Sequence, residues 1–258
     1  MKVVLTGAAG VIGKAVQEHL GDRYDFVCIT RKPTGFTDVI GDISDFDAIR
    51  PAFDGADAVV HLAASISVDS PWESVLPDNL IGTYNVYEAA RQAGLKTIVF
   101  ASSNHTIGGY ELDGAPRIYD LDDPRSYDHH AEIRPDSLYG VSKVYGEALG
   151  RYYHETYGMR VYNLRIGSVR GDDNPVAPEV KDGSFWLDLT ADEKFDRIRS
   201  TWLSQRDCAE LIGCCLEATT VPWATVYGIS DNPRQFWDLE HARRLLGYAP
   251  KDSAPEHR

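Results

Sequence analysis

A tyrosine and a lysine four residues apart, Tyr139 and Lys143, are the pair in this sequence best suited to chemistry. If Leu138-Tyr139-Gly140-Val141-Ser142-Lys143 opens a helix, the two side chains stand one turn apart on the same face. A phenol is a poor base at neutral pH because its ordinary pKa is roughly 10. An ammonium fixed one turn away favours the phenolate and brings that pKa toward the working range. A tyrosine so paired can take a proton from an alcohol while a neighbouring cofactor takes the hydride. An ordinary amphipathic helix carries such a pair too, and two other stretches give it meaning. Gly7-Ala8-Ala9-Gly10-Val11-Ile12-Gly13 lies near the N-terminus between an apolar run and a helical pattern, and Ser102-Ser103-Asn104-His105 closes a later apolar run.

The elements that must position these groups follow from the hydrophobic pattern. Lys2 to Thr6 reads as a buried strand, and a helix follows the glycines through Leu20. Strand, glycine turn and helix N-terminus form a phosphate-binding unit, in which glycine admits the pyrophosphate and free N–H groups favour its charge. Gly7, Gly10, Val11, Ile12 and Gly13 are therefore expected against a dinucleotide. The next strand, Asp25 to Thr30, ends where an acid would hold the ribose 2′-hydroxyl of NAD. Thr30 stands there instead, followed by Arg31 and Lys32. A cation fits a 2′-phosphate, so the sequence predicts NADP in preference to NAD. A third strand, Val39 to Ile43, carries Asp42 toward the adenine amino group. A fourth, Ala58 to Ala64, ends in Leu62, Ala63 and Ala64, which let a cofactor lie close. His61 within it reads as a core histidine. Asn79, in a helical pattern from Trp72 to Gly94, and Ile43 and Ile166 complete the expected cofactor contacts.

Thr97 to Ala101 and Arg160 to Ile166 read as the fifth and sixth strands, with a helix from Leu138 to about Tyr157 between them. Alternation of this kind predicts an α/β, Rossmann-type doubly wound parallel sheet with ligands at the strands' carboxyl ends. Residues 1–166 would form the dinucleotide-binding part and 167–258 a small C-terminal cap that returns to it, in one compact unit. Ile107 to Pro135 turns polar and acidic; a structureless stretch of that length is unusual unless it is functional, so it reads as a surface insertion near the site mouth. A second irregular stretch, Ser168 to about Arg199, mixes acids with Phe185, Trp186 and Leu187. A helix from Asp207 to Thr219, a strand from Thr225 to Ile229 and a helix from His241 to Leu246 follow. The tail from Lys251 to Arg258 is expected to be mobile.

With 258 residues and 43 % hydrophobic content, the chain can bury one large core. A net charge of −13 excludes a nucleic-acid footprint and attachment to an anionic membrane. Cys28, Cys208, Cys214 and Cys215 have no metal-ligand or redox spacing, and His129-His130 lacks matched ligands, so no metal is expected. No run resembles a signal peptide or membrane span, which points to a reduced, cytoplasmic protein.

Thr6-Gly-Ala-Ala-Gly10-Val-Ile-Gly13 and Tyr139-x-x-x-Lys143 resemble the cofactor loop and catalytic pair of the extended short-chain dehydrogenase/reductase family, along nearly the whole chain. Ser103 matches the hydroxyl that holds the substrate oxygen. Phe100-Ala-Ser-Ser-Asn-His-Thr-Ile-Gly108, Arg134 to Lys143, Arg165-Ile-Gly-Ser168 and Ser200-Thr-Trp-Leu-Ser204 are especially similar to uronate dehydrogenases. The resemblance implies oxidation of a pyranose C1 hydroxyl to the lactone, with Ser103, Tyr139 and Lys143 catalytic. Ser67, Asn104, His105, Ser168 and Arg197 would bind the sugar, with Arg197 clamping a C6 carboxylate. A glucose-6-phosphate-oxidising relative keeps that arginine but has another where Ser67 stands, so the resemblance implies a hexuronate ahead of a sugar 6-phosphate. Thr30 departs from the NAD pattern, and Val11 replaces a substrate-facing glutamine. A nucleotide-sugar epimerase or dehydratase, and a non-catalytic NADP-sensing regulator, are the competing readings. Relatives pair the helices after Trp72 and Leu138 across a two-fold axis, which implies at least a homodimer with Tyr84, Tyr87, Tyr145, Tyr152 and Tyr153 supplying aromatic surface.

Overall fold

The computed structural model of the chain describes residues 1–176 and 189–255. Its centre is a parallel sheet made of β1 (Lys2–Thr6), β2 (Asp25–Thr30), β3 (Val39–Ile40), β4 (Ala58–His61), β5 (Thr97–Ser103), β6 (Arg160–Ile166) and β7 (Trp223–Gly228). The spatial order is β3-β2-β1-β4-β5-β6-β7, with the reversal of winding between β1 and β4. Crossovers that return a strand parallel to its neighbour must place helices on both faces, so the strands are buried on both sides.

Alternate side chains feed two cores. Val3 and Leu5 join Val16 and Leu20 of α1 (Val11–Leu20) and Leu211, Ile212 and Cys215 of α8 (Gln205–Glu217). Val4, Val59 and Ile98 face the other way, onto Val86 and Ala90 of α4 (Gly82–Gln92) and Tyr153 of α6 (Leu138–Tyr157). Helix α6 lies close on β5: a Cβ at Gly146 would stand 2.2 Å from the Phe100 ring. Ser137 caps α6 by accepting a bond from the Gly140 N–H, and Gly158 ends it at φ 66°. The Glu147 carboxylate, on α6, holds Arg165 of β6 at 3.0 and 2.9 Å and accepts from Ser102 of β5 at 2.6 Å.

Several expectations are corrected. The pattern from Trp72 to Gly94 is helical through Gln92, with one change of pitch: α3 (Trp72–Val75) widens into a π-helical turn, Leu76–Ile81, before α4. The third strand stops at Ile40, short of Asp42. The insertion after Ile107 is not structureless, because it holds α5 (Gly108–Gly114) and a 3-10 turn, Arg117–Tyr119. Tyr119 and Ile118 from that turn are buried. In the second irregular stretch α7 (Ala191–Thr201) starts at a capping box of Thr190 and Glu193, while Phe185, Trp186 and Leu187 lie outside the described residues. The tail is docked as far as it is described. Asp207 accepts from the Lys251 and Asp252 N–H groups, and Ala254 is buried on Asn232. From residue 167 onward, β7 joins the sheet edge beside β6, and α8 packs on α1. Helices α2 (Phe46–Ile49) and α9 (Glu240–Leu246) complete the α-helices among the described residues. No helix among the described residues is long and apolar enough to cross a membrane.

Candidate active site

The carboxyl ends of β1, β2 and β4 open onto a cavity of about 1010 Å³. Gly7, Gly10, Val11, Ile12 and Gly13 line one wall, Thr30, Arg31, Asp42 and Ile43 another, and Leu62, Ala63 and Ala64 a third. Gly7 adopts φ +70°, a left-handed conformation that glycine takes without strain. A Cβ at Gly13 would lie 2.4 Å from the Gly7 carbonyl oxygen, so the turn closes only without a side chain. Gly10 begins α1 with no side-chain cap, which leaves the helix's first N–H groups to a ligand. The cradle fits a pyrophosphate, and these residues would hold a dinucleotide.

At the adenosine end the Thr30 hydroxyl is turned to the Lys32 carbonyl and Thr37, both at 2.8 Å. Arg31 is exposed and pairs with Asp78 of the π-helical turn at 3.3 Å. Asp42 accepts at Oδ1 from the N–H and hydroxyl of Ser44, and the backbone bond holds its carboxyl below the ordinary range. Two expected cofactor residues stand elsewhere. Asn79 uses its amide to bind the Ser65 backbone at 2.7 and 2.9 Å and the Ser142 hydroxyl at 2.8 Å, tying the loop after β4 to α6. Ile166 is buried in β6 opposite Ser103. His61 sits between the Thr6 and Thr83 hydroxyls, and burial pulls its pKa down to about 3.

Next along the sheet edge come the catalytic candidates. Ser103 ends β5, and its side chain lies near enough to Tyr139 to favour the phenolate. The Ser103 hydroxyl oxygen accepts from the His105 N–H at 3.2 Å, and the hydroxyl donates to Asn104 Oδ1 at 3.2 Å. Lys143 Nζ lies 5.5 Å from the Tyr139 ring centre, 5.0 Å from that of Phe100, and donates to the Ala101 carbonyl at 2.7 Å. The expected charge effect is reversed. Burial pushes Tyr139 up to about 12, against the lowering effect of Ser103, and burial alone pulls Lys143 down to about 7. Desolvation penalises the charged form of each.

The sugar candidates fall into two groups. Asn104 and His105 follow Ser103 in a 3-10 turn, with the His105 ring edge-on to Tyr139 at 5.6 Å. Its Nδ1 bonds Asp136, a fully buried carboxylate, at 2.9 Å. The Ser168 hydroxyl bonds Thr201 at 2.8 Å just past β6. Arg197, on α7, meets Glu111 of α5, while Ser67 is exposed on the loop after β4 and caps Asp69. Asp136, Glu111 and Asp78 were not singled out from sequence, and nothing in their local pattern separates them from the chain's other acids. Among the described residues no group of His, Cys, Asp and Glu is arranged to hold a metal. His129 stacks instead on His241, with ring centres 3.5 Å apart.

Comparison with known proteins places this geometry. Residues 3–190 match the model of the NAD dependent epimerase/dehydratase family. An NAD-dependent glucose-6-phosphate dehydrogenase of Haloferax volcanii is 39% identical over 98% of this chain and 94% of its own. An L-arabinose 1-dehydrogenase (NAD(P)(+)) of the same organism is 40% identical, over 98% and 97%. The crystal structure of uronate dehydrogenase from Agrobacterium tumefaciens superimposes with a TM-score of 0.78 at 34% identity, covering 98% of this chain and 85% of that one.

The buried lysine makes a measurable prediction. Its pKa falls from an ordinary 10.5 to about 7 on folding. Between these values the unfolded chain holds a proton that the folded chain has lost, so the Lys143 contribution to stability rises with pH across that window. Lys143→Met removes the group. The cofactor-free variant should melt above the wild type at about pH 6, with the margin shrinking toward about pH 10. Thermal melts across that range check it, and a margin independent of pH would contradict the burial of a lysine forced neutral.

Proposed function

Since the chain belongs to the NAD dependent epimerase/dehydratase family, we propose that it is an oxidoreductase that converts the C1 hydroxyl of a free pyranose to the lactone. The observation that carries this reading is the meeting of Ser103, Tyr139 and Lys143 at the sheet edge beside the dinucleotide cavity. A nicotinamide bound there supplies the hydride acceptor. The chain's own residues do the rest. Ser103 and Tyr139 hold the C1 oxygen between their hydroxyls, and Tyr139 takes its proton as general base. Lys143 stands one turn behind, where it can bind ribose hydroxyls and stabilise the phenolate as charge develops. His105, fixed by Asp136, and Asn104 supply polar atoms for the ring hydroxyls. The three relatives are named for a sugar phosphate, a neutral pentose and a uronate. The hexuronate implied by resemblance lies within this range, and the shared chemistry is at C1.

Tyr139→Phe keeps the ring's packing and removes the proton acceptor. Turnover should fall at least about a hundredfold, as loss of a general base does, while dinucleotide affinity barely changes. Release of NADH or NADPH with a free aldose, followed by absorbance at the nicotinamide band, tests the reaction itself. A tightly retained cofactor and a nucleotide-sugar product would favour an epimerase, and binding without turnover would favour a regulator.

The chain binds an NAD-type dinucleotide, and we propose NADP as the tighter partner. Arg31 and Lys32 on the cavity wall and the absence of an acid at Thr30 support this. Asp78 shares the Arg31 charge and tempers the preference. Calorimetry should give NADP the lower Kd, with the gap closing as salt rises. Thr30→Asp should reverse the order. Equal affinities in the wild type would remove the role of Arg31.

We also propose a homodimer, in the cytoplasm, with all four thiols reduced. Ile81 and Tyr84, and Val141 and Tyr152 on the adjacent α6, are exposed apolar groups on neighbouring helices. Tyr87 and Tyr153, expected to share that surface, are in the core, and Tyr145 is half-buried. Light scattering at micromolar concentration should return at least twice the mass of one chain. A monomeric mass would refute the pairing.

A further inference from the structure

Three imidazoles meet where residues 126–131 of the insertion lie against the start of α9. The His129 ring stacks on that of His241, with centres 3.5 Å apart and planes 11° from parallel, and the His130 ring centre stands 3.9 Å from that of His129. Backbone bonds dock the segment: the Tyr127 N–H donates to the Phe236 carbonyl at 2.9 Å, and the Asp238 N–H to the Tyr127 carbonyl at 3.0 Å. This arrangement takes neutral rings. Arg244 Nη2 lies 3.3 Å from His241 Nδ1. A guanidinium only donates, so that nitrogen must carry the lone pair, and an imidazolium would set donor against donor. His129 Nδ1 is buried with no hydrogen-bond partner among the described residues, so the N–H of a charged ring would be left unmatched there. Burial, then the neighbouring His241 ring, holds His129 below the ordinary 6.5 of histidine, and burial, then the Arg244 charge, does the same to His241.

We propose that the docking of residues 126–131 at the start of α9 is a pH-operated latch, closed while His129 and His241 are neutral and released as they take up protons. Two acids stand near the rings. Asp238 is engaged by the Glu240 and His241 N–H groups and Asp128 by that of His130, and their attraction for a charged ring is outweighed at both histidines. Glu240 pairs with Arg243 along α9, while Tyr110 of α5, beneath the Arg134 guanidinium, meets the Tyr127 ring at 4.4 Å. Above about pH 6.5 the docked and released forms both hold neutral rings, and docking is at full strength. Below that the released segment binds protons that the docked one refuses, so docking weakens as pH falls. Release also withdraws the Asp128 carbonyl, which accepts from the Tyr227 hydroxyl at 3.1 Å. That hydroxyl accepts in turn from Arg165, which is held by Glu147 of α6, so the latch is tied to the helix that carries Tyr139.

Hydrogen exchange followed by mass spectrometry reads the docking directly, because the Tyr127 and Asp238 N–H groups close it. After correction for the intrinsic pH dependence of exchange, the opening equilibrium of residues 126–131 should rise as the buffer goes from about pH 7.5 to about pH 5.5. The slope should approach about tenfold per pH unit for each proton taken up. Strand β5, in the middle of the sheet, should stay protected throughout. His129→Phe combined with His241→Phe keeps two flat rings and removes their protons, and its opening should not respond to pH. Should the double variant fail to fold, His241→Phe alone should lose one proton's share of the slope. A wild-type segment that opens equally at both ends of the range, a pH response that survives loss of the histidines, or exchange in β5 that rises in step with the segment overturns the proposal.

Discussion

The geometry of the site depends on a buried ion pair that touches no candidate ligand. Glu147 lies one helical turn beyond Lys143 and two beyond Tyr139, and its carboxylate joins Arg165 of β6 and Ser102 of β5. Arg165 in turn donates to the Tyr227 hydroxyl of β7 at 3.0 Å, and that hydroxyl reaches the Asp128 carbonyl at 3.1 Å. One helix, three adjacent strands and the insertion are thus keyed together. Both charges are almost wholly out of water, so removing either partner would strand the other at a cost of about 3–5 kcal/mol. An apolar contact could hold α6 against the sheet. It could not fix the helix's rotation and rise so narrowly, and Tyr139 must meet Ser103 within hydrogen-bond reach.

That rigidity puts Tyr139 and Lys143 in a dry setting, and dryness governs their protonation. Spacing along a helix suggested a phenol acidified by its neighbour. The structure shows two groups each driven toward neutrality, with Lys143 engaged by the Ala101 carbonyl in place of the phenol oxygen. Whatever activates the phenol must overcome desolvation, which is the largest effect on it.

What was legible in the sequence was local. The glycine turn, the strand patterns and the Tyr139/Lys143 spacing depend on residues a few positions apart, and β1, β2, β6 and α6 fall where those patterns put them. What was not legible joins residues far apart. Glu147 and Arg165 are 18 positions apart, His105 and Asp136 31, and Arg197 and Glu111 86. Glu111 looked like one more acid in a polar stretch, because the partner that explains it lies on another helix. The tail looked mobile because the Asp207 carboxylate that binds it is also distant in sequence. The relatives' helix pairing implies a surface for Tyr87 and Tyr153, yet Tyr87 packs on both Phe100 and Tyr153 in the core, contacts between distant residues.

The widened turn from Leu76 to Ile81 bears on how this chain can change length. A π-helical turn holds one residue more than an α-helical turn, so it shifts the angular register of everything before it relative to everything after it. Asp78 and Asn79 face Arg31, Ser65 and Ser142, while Val86 and Ala90 a few positions on face the core. Loss of a single residue here would restore a continuous α-helix and turn one set away by about 100°. Exposed loops elsewhere can gain or shed residues with little effect on the interior. The extra residue acts as a spacer between two faces that must both point correctly.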